Sequence, residues 1–333
     1  MSTSATTLQN VASVDDFLKV AAPETAPLFE YLEFDFLLED DVFAPLEAGV
    51  NTSTQATRTL PRFPALYYKG IYGTRPVTRE LQKTLTWLSC GFEKPPSRDT
   101  VDRFLTDLEL VVDDVFDRLV EQAACRGLLD SMSRIDSTHV TAIQYNDDAT
   151  WNYDSTAEEH YYGFSCVIVS AGPKIPIAAE FTQRKQINTE TAMRVTKDAL
   201  AVETPIWMLG DSAYDVLEWH DFLLAQGVVP IAPYNPRNTN DPLDIEYRVE
   251  DRIDEHAEDV SLKQSVLAET YDHRTQVERT NEGCKNCGLG HVHARGRFHA
   301  RTQAFVALCF RVIVAITNYD RGHNPRRTKL KTL

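Results

Sequence analysis

The stretch "SRIDSTHVTAI", residues 133–143, decides the fold. The segments before it carry a helical apolar period, and here the pattern changes to the alternation of a β-strand. Two further strands follow, "YYGFSCVIVSA" (161–171) and "KIPIAAEFT" (174–182), with "AGPK" as the turn between them. A turn that short joins antiparallel neighbours. Next come a helix, "TETAMRVTKDAL" (189–200), with Thr189 as its N-cap, and a short apolar strand, "PIWMLGD" (205–211). A second helix, "VLEWHDFLLAQG" (216–227), leads into a buried strand, "VVPIAPYN" (228–235). Strands joined by crossover helices pair in parallel, so the expected fold class is α/β with a mixed sheet.

Upstream, "PALYYKGIYG", "VTRELQKTLTWLSCG" and "PPSRDTVDRFLTDLELVVDDVFDRLVEQAACRG" read as three or more helices broken at Gly and Pro. Ser97 is a good N-cap, with Arg98 and Arg103 on the first two turns of its helix. This is compatible with a helix-turn-helix-like DNA-binding unit and equally with a plain helical bundle whose arginines face water. The expected organisation is an acidic N-terminal segment (1–60), a helical domain (61–130), an α/β domain (131–321) with an acidic, turn-rich insertion at about 236–269, and a basic tail (322–333).

The net charge of −15 argues at first against a nucleic-acid partner, since cationic side chains dominate such binding. Its distribution argues otherwise. Residues 271–333 hold 12 Lys or Arg against 4 Asp or Glu, leaving 22 against 45 in the rest. Arg outnumbers Lys 23 to 11 beside abundant acid, a balance that resembles haloarchaeal proteomes. The apolar run Ala304–Tyr319 is interrupted by Arg311 and is shorter than the roughly 20 residues of a membrane span, so it reads as a buried helix. The N-terminal residues lack a basic and then apolar leader, and a cytoplasmic, nucleoid-associated protein is expected. Cys284 and Cys287 in "CKNC", with His291 and His293 behind them, could hold zinc or could be small buried hydrophobes.

Asp136 lies inside the first strand, where a carboxylate is costly unless something pairs with it. Asp211 comes directly after the fourth strand, at the carboxyl end where open α/β sheets place ligands. A third carboxylate, Glu278, lies in "YDHRTQVERTNEGCK" (271–285). On one uninterrupted helix, Tyr271, Arg274, Glu278 and Lys285 would share a stripe roughly 60° wide. A solvated face with an Arg274–Glu278 pair accounts for such a stripe; so does a metal-binding carboxylate among phosphate-binding cations.

The order Asp, Asp, Glu on this strand and helix frame resembles the ribonuclease-H-like catalytic domain of DDE transposases and retroviral integrases. "IDST" (135–138) and "GDSAYD" (210–215) are similar to the contexts of the first and second Asp in insertion-sequence transposases. Tyr271, Arg274, Glu278 and Lys285 match the Y-x2-R-x3-E-x6-K signature of one large group of them. The resemblance covers about Ser133–Tyr319. It implies that Asp136, Asp211 and Glu278 ligate two Mg²⁺ or Mn²⁺ ions, and that Tyr271, Arg274 and Lys285 hold the DNA backbone, with Arg98 and Arg103 as further DNA contacts. It also implies DNA partners, namely terminal inverted repeats and target DNA, a homodimer when two ends are paired, and no membrane. A His in the position of His160 often faces the metals in similar enzymes; a strand-edge His with its own partner fits equally. Two competing functions are a metal-dependent nuclease that cuts without joining and a catalytically silent DNA-binding derivative.

Overall fold

A computed structural model describes residues 66–330 apart from 68, 84–86, 88–91, 93, 155–157, 184–188, 234 and 236–263. The acidic N-terminal segment and nearly all of the expected insertion therefore lie outside the described residues. The chain divides into two compact units, one made of Val120–Gln144 and Asp148–Cys284, the other of the remainder.

The first unit contributes six strands to a mixed sheet. β1 (Met132–Ala142) runs antiparallel to β3 (Glu159–Ala171), with Asp136 opposite Ile168. β4 (Ile175–Thr182) pairs with the other edge of β3, also antiparallel. β5 (Trp207–Leu209) lies parallel to β1, and β6 (Val229–Ile231) parallel to β5. Three antiparallel strands followed by two parallel ones is the arrangement read from 133–235. β3 is buried at every position from Gly163 to Ala171 because helices cover the sheet. α4 (Thr189–Val202) packs on β3 and β4, and α5 (Leu217–Ala225) packs on α4 and β6. The buried Trp219 Nε1 donates to Thr196 Oγ1 at 3.0 Å and fixes α5 against α4.

One strand escaped the sequence reading. β2 (Thr150–Asp154) lies in a polar, acidic stretch and pairs antiparallel with the start of β3. Its outward residues make cross-strand aromatic pairs, Trp151 with Tyr162 at 5.5 Å and Tyr153 with His160 at 5.1 Å between ring centroids. Such pairs stabilise a two-stranded ribbon without a greasy sequence run. His160 is thereby placed in an exposed cross-strand pair, the alternative to facing the metals.

In the second unit α1 (Thr74–Lys83) and α2 (Arg98–Asp107) pack together, joined by Thr74 Oγ1 donating to Asp102 Oδ1 at 2.8 Å. Ser97 caps α2 as expected, its hydroxyl accepting from the Thr100 N–H at 3.1 Å. Arg98 and Arg103 are exposed on α2. α3 begins at Val112 and runs to Cys125. The expected apolar helix is α8 (Arg297–Asp320), and its most apolar window is 94% buried, as in a core helix.

Candidate functional site

Asp136, Asp211, Tyr271, Arg274 and Glu278 all fall in the sheet-containing unit. Asp136 sits on β1 at a largely buried point, accepting from the Ser137 N–H at 2.8 Å and from Asn281 Nδ2 at 3.1 Å. Burial, then the negative charge of Asp211, then that of Glu278 push its carboxyl up to about 7, against the pull of the Ser137 N–H and the Arg274 guanidinium. Asp211, at the end of β5, and Glu278, on a later helix, thus both act electrostatically on Asp136.

Asp211 follows Leu209 and Gly210 and caps the short 3₁₀ turn Ser212–Tyr214, its Oδ1 accepting from the Ala213 N–H at 2.9 Å. Gly210 is required by packing, since a Cβ there would stand 2.8 Å from the Tyr214 Cβ. Tyr214 is fully buried, and its hydroxyl is raised well above the usual range by burial, with Asp136 and Asp211 adding to the shift. The second acid of "GDSAYD", Asp215, is also buried and accepts from the Asn235 N–H at 2.8 Å, which ties this loop to the segment after β6.

The "YDHRTQVERTNEGCK" segment is not one uninterrupted helix, which corrects the stripe expected for it. α6 (Gln264–Tyr271) gives way to a 3₁₀ turn at Asp272–Arg274, α7 spans Thr275–Cys284, and a π-turn follows at Lys285–Leu289. Tertiary bonds override helix propensity here. The buried Arg134 Nε donates to the His273 carbonyl at 3.1 Å, and Nη1 to the Met132 carbonyl at 2.9 Å. Gly288 closes the π-turn at φ 115°, where a Cβ would stand 2.6 Å from Tyr72 Cε1. Three members of the signature still meet. Arg274 Nη2 bonds Glu278 Oε1 at 2.9 Å and lies 5.9 Å from the centre of the Tyr271 ring. Tyr271 packs on the Leu209, Ile231 and Leu267 cluster, with its hydroxyl raised above the usual range mainly by burial. Lys285 lies in the π-turn, outside this unit.

Two residues that matter here went unread in the sequence, Arg134 and Asn281. The available signal for Asn281 was its position one helical turn beyond Glu278. It is buried, and its Oδ1 has no hydrogen-bond partner among the described residues. Replacing it with Leu, which removes the donor to Asp136 at similar volume, is expected to weaken metal-dependent activity or apparent metal affinity about 10- to 100-fold, checked by cleavage rate against metal concentration. The zinc alternative has no support. Burial pushes the Cys287 thiol up to about 11. Among the described residues no three His, Cys, Asp or Glu side chains converge as a metal-holding group, and that includes Asp136, Asp211 and Glu278, which would have to draw closer to share an ion.

That geometry can be set beside known proteins. The family model described as "Transposase DDE domain" matches residues 130–313. The chain belongs to the DDE transposases. A curated relative from Halobacterium salinarum strain R1, "Probable transposase for insertion sequence element ISH11", is 65% identical over 319 residues, spanning 96% of this chain and 97% of its own length. The relative of the same description from strain NRC-1 gives the same figures. This transposase thus has haloarchaeal insertion-sequence relatives, in line with its acidic, Arg-rich composition, and its sheet is the ribonuclease-H-like one of the family. Among solved structures, the "Drosophila P element transposase strand transfer complex" aligns at TM-score 0.27 and 11% identity, over 90% of this chain and 87% of that one. The "Mos1 mariner paired end complex with Mn" aligns at TM-score 0.23 and 11% identity, over 80% of this chain and 99% of that one. Likeness at scores that low says nothing about how this transposase works.

Proposed function

We propose that this transposase cuts DNA at the ends of its insertion sequence and joins the freed 3′ hydroxyl to target DNA, using Asp136, Asp211 and Glu278 as ligands for divalent metal. The observation that carries the reading is the placement of Asp136 inside β1, both its oxygens hydrogen-bonded, within electrostatic reach of Asp211 and Glu278. Carboxyl oxygens suit hard cations such as Mg²⁺ or Mn²⁺, and a cation would offset both the burial and the mutual repulsion that hold Asp136 near neutral pH. The unpartnered Asn281 Oδ1 adds another buried oxygen beside Asp136. A pair of such ions would lower the pKa of an attacking water or hydroxyl and offset charge on the leaving oxygen.

The chain's own residues do the positioning. Ser137 N–H and Asn281 Nδ2 fix the two oxygens of Asp136. The capped turn after β5 fixes Asp211. Glu278 is half-exposed and paired with Arg274, so it must share or leave that guanidinium to take a ligand role. Arg274 then has donors for a phosphate, which its planar fork suits, and the Tyr271 ring beside it restricts its swing. Lys285 and, on α2, Arg98 and Arg103 are assigned to the DNA backbone on charge alone. A homodimer that pairs two ends belongs to the same proposal.

The test is incubation with a labelled duplex bearing the element's own end, a supercoiled target plasmid and Mg²⁺ or Mn²⁺. Label transferred into plasmid is the expected outcome. Cleavage without transfer would make the protein a nuclease, and end binding without cleavage would make it a silent derivative.

A further inference from the structure

α8 carries a charge in its core. Arg311 is fully buried in this apolar helix, where an ionised side chain is costly unless its donors are met. Its two terminal nitrogens reach backbone carbonyls of the chain beyond the helix. Nη2 donates to the Pro325 carbonyl at 3.0 Å and Nη1 to the Arg327 carbonyl at 3.3 Å. One helical step of seven residues farther on, the buried Asn318 continues the row, its Nδ2 donating to the Lys329 carbonyl at 3.3 Å and its own carbonyl accepting from the His323 N–H at 2.7 Å. Gly322, at φ 70°, turns the chain back. Residues 321–330 are therefore a strap held along α8 by its backbone.

A strap held by its carbonyls leaves its outward cations facing solvent. Arg326, Arg327 and Lys329 are exposed and make no ion pair among the described residues. From Arg321 to Leu333 the sequence has five Lys or Arg and no Asp or Glu, in a chain whose net charge is −15. At molar salt the Debye length is only about 3 Å, so a diffuse basic surface attracts little and phosphate binding needs cations already held in place.

We propose that this strap is a DNA-backbone contact, with Arg326, Arg327 and Lys329 binding phosphates of duplex DNA and Arg311 acting as the positioning residue beneath them. The inference rests on the proposed DNA reading but uses none of the residues of the carboxylate site.

The test is binding of a labelled duplex of arbitrary sequence, about 40 base pairs long, over a potassium chloride series from about 0.5 to 2 M. Each phosphate contact contributes about 0.9 to the slope of log affinity on log salt. Substituting Arg326→Gln, Arg327→Gln and Lys329→Gln together is expected to lower that slope by about 2 to 3 and the affinity several-fold at the lowest salt, with an unchanged melting temperature. Arg311→Met, which keeps the surface cations, is expected to lose part of the affinity and to be cut faster by trypsin within the strap. A triple variant with the wild-type slope overturns the proposal, as does one that alters only self-association. Wild-type protein that fails to bind any duplex refutes the DNA reading itself and is distinguishable from both.

Discussion

Replacing Asp136 with Asn is expected to abolish end cleavage while making the metal-free protein more stable. The loss of activity is expected to exceed about a thousandfold, equivalent to roughly 4 kcal/mol of transition-state stabilisation, because a neutral amide is a poor ligand for a hard cation. The gain in stability has a definite sign. The folded protein holds this carboxyl near 7 against an ordinary value of 3.8, so folding favours its protonated form. That contribution is complete below about pH 4 and is lost as pH rises through about 7. At pH 8 the wild type carries a buried carboxylate whose cost is at most on the order of a few kcal/mol, and the Asn variant does not. Thermal melting in chelator at pH 5 and pH 8 checks this: the wild type should lose stability between the two by more than the variant does. Added Mg²⁺ or Mn²⁺ should raise the wild-type midpoint at pH 8 and leave that of the variant nearly unchanged.

Arg134→Met is expected to have the second largest effect, although Arg134 belongs to no catalytic signature. Its guanidinium is buried and bridges Asp130, the Met132 carbonyl and the His273 carbonyl, so it binds β1 to the turn that delivers Arg274. Met keeps most of the volume but removes a buried guanidinium and its bonds to two partly exposed carbonyls, a loss of about 1–3 kcal/mol. The released 3₁₀ turn should also misplace Arg274 and Glu278, and small misplacements at a phosphoryl-transfer site cost on the order of a hundredfold. Urea denaturation gives the first quantity. Cleavage rate under conditions where the variant remains folded gives the second, and a variant with a normal rate would show that the turn holds its geometry without Arg134.

Much of this was legible in the chain. The strands read at 133–143, 161–171 and 174–182 show alternation in the first and apolar runs in the other two, and Asp136 stands out as a carboxylate inside the first. Asp211 is marked by its place after a short apolar strand, and Ser97 by its cap chemistry. β2 was not legible, because cross-strand aromatic pairs stabilise it and its residues are otherwise polar. The breaks around Arg274 and Lys285 were invisible for another reason. An ideal helix is the correct local expectation for that sequence, but the Arg134 bond to His273 and the packing of Gly288 on Tyr72 are long-range. The clustering of Tyr271, Arg274 and Glu278 survives those breaks because each gap is about one turn.

Within the proposed metal-dependent site of Asp136, Asp211 and Glu278, Glu278 is the most exposed member, the one whose visible bond is an ordinary Arg274 pair. The direct measurement is nicking of the element's labelled terminal duplex with Mn²⁺, comparing wild type with Glu278→Ala. Metal-dependent nicking by the wild type and its loss, by about a thousandfold or more, in a variant of unchanged melting temperature is the expected result. Nicking that persists in Glu278→Ala would mean that α7 presents only a charged surface and that the active site lies elsewhere.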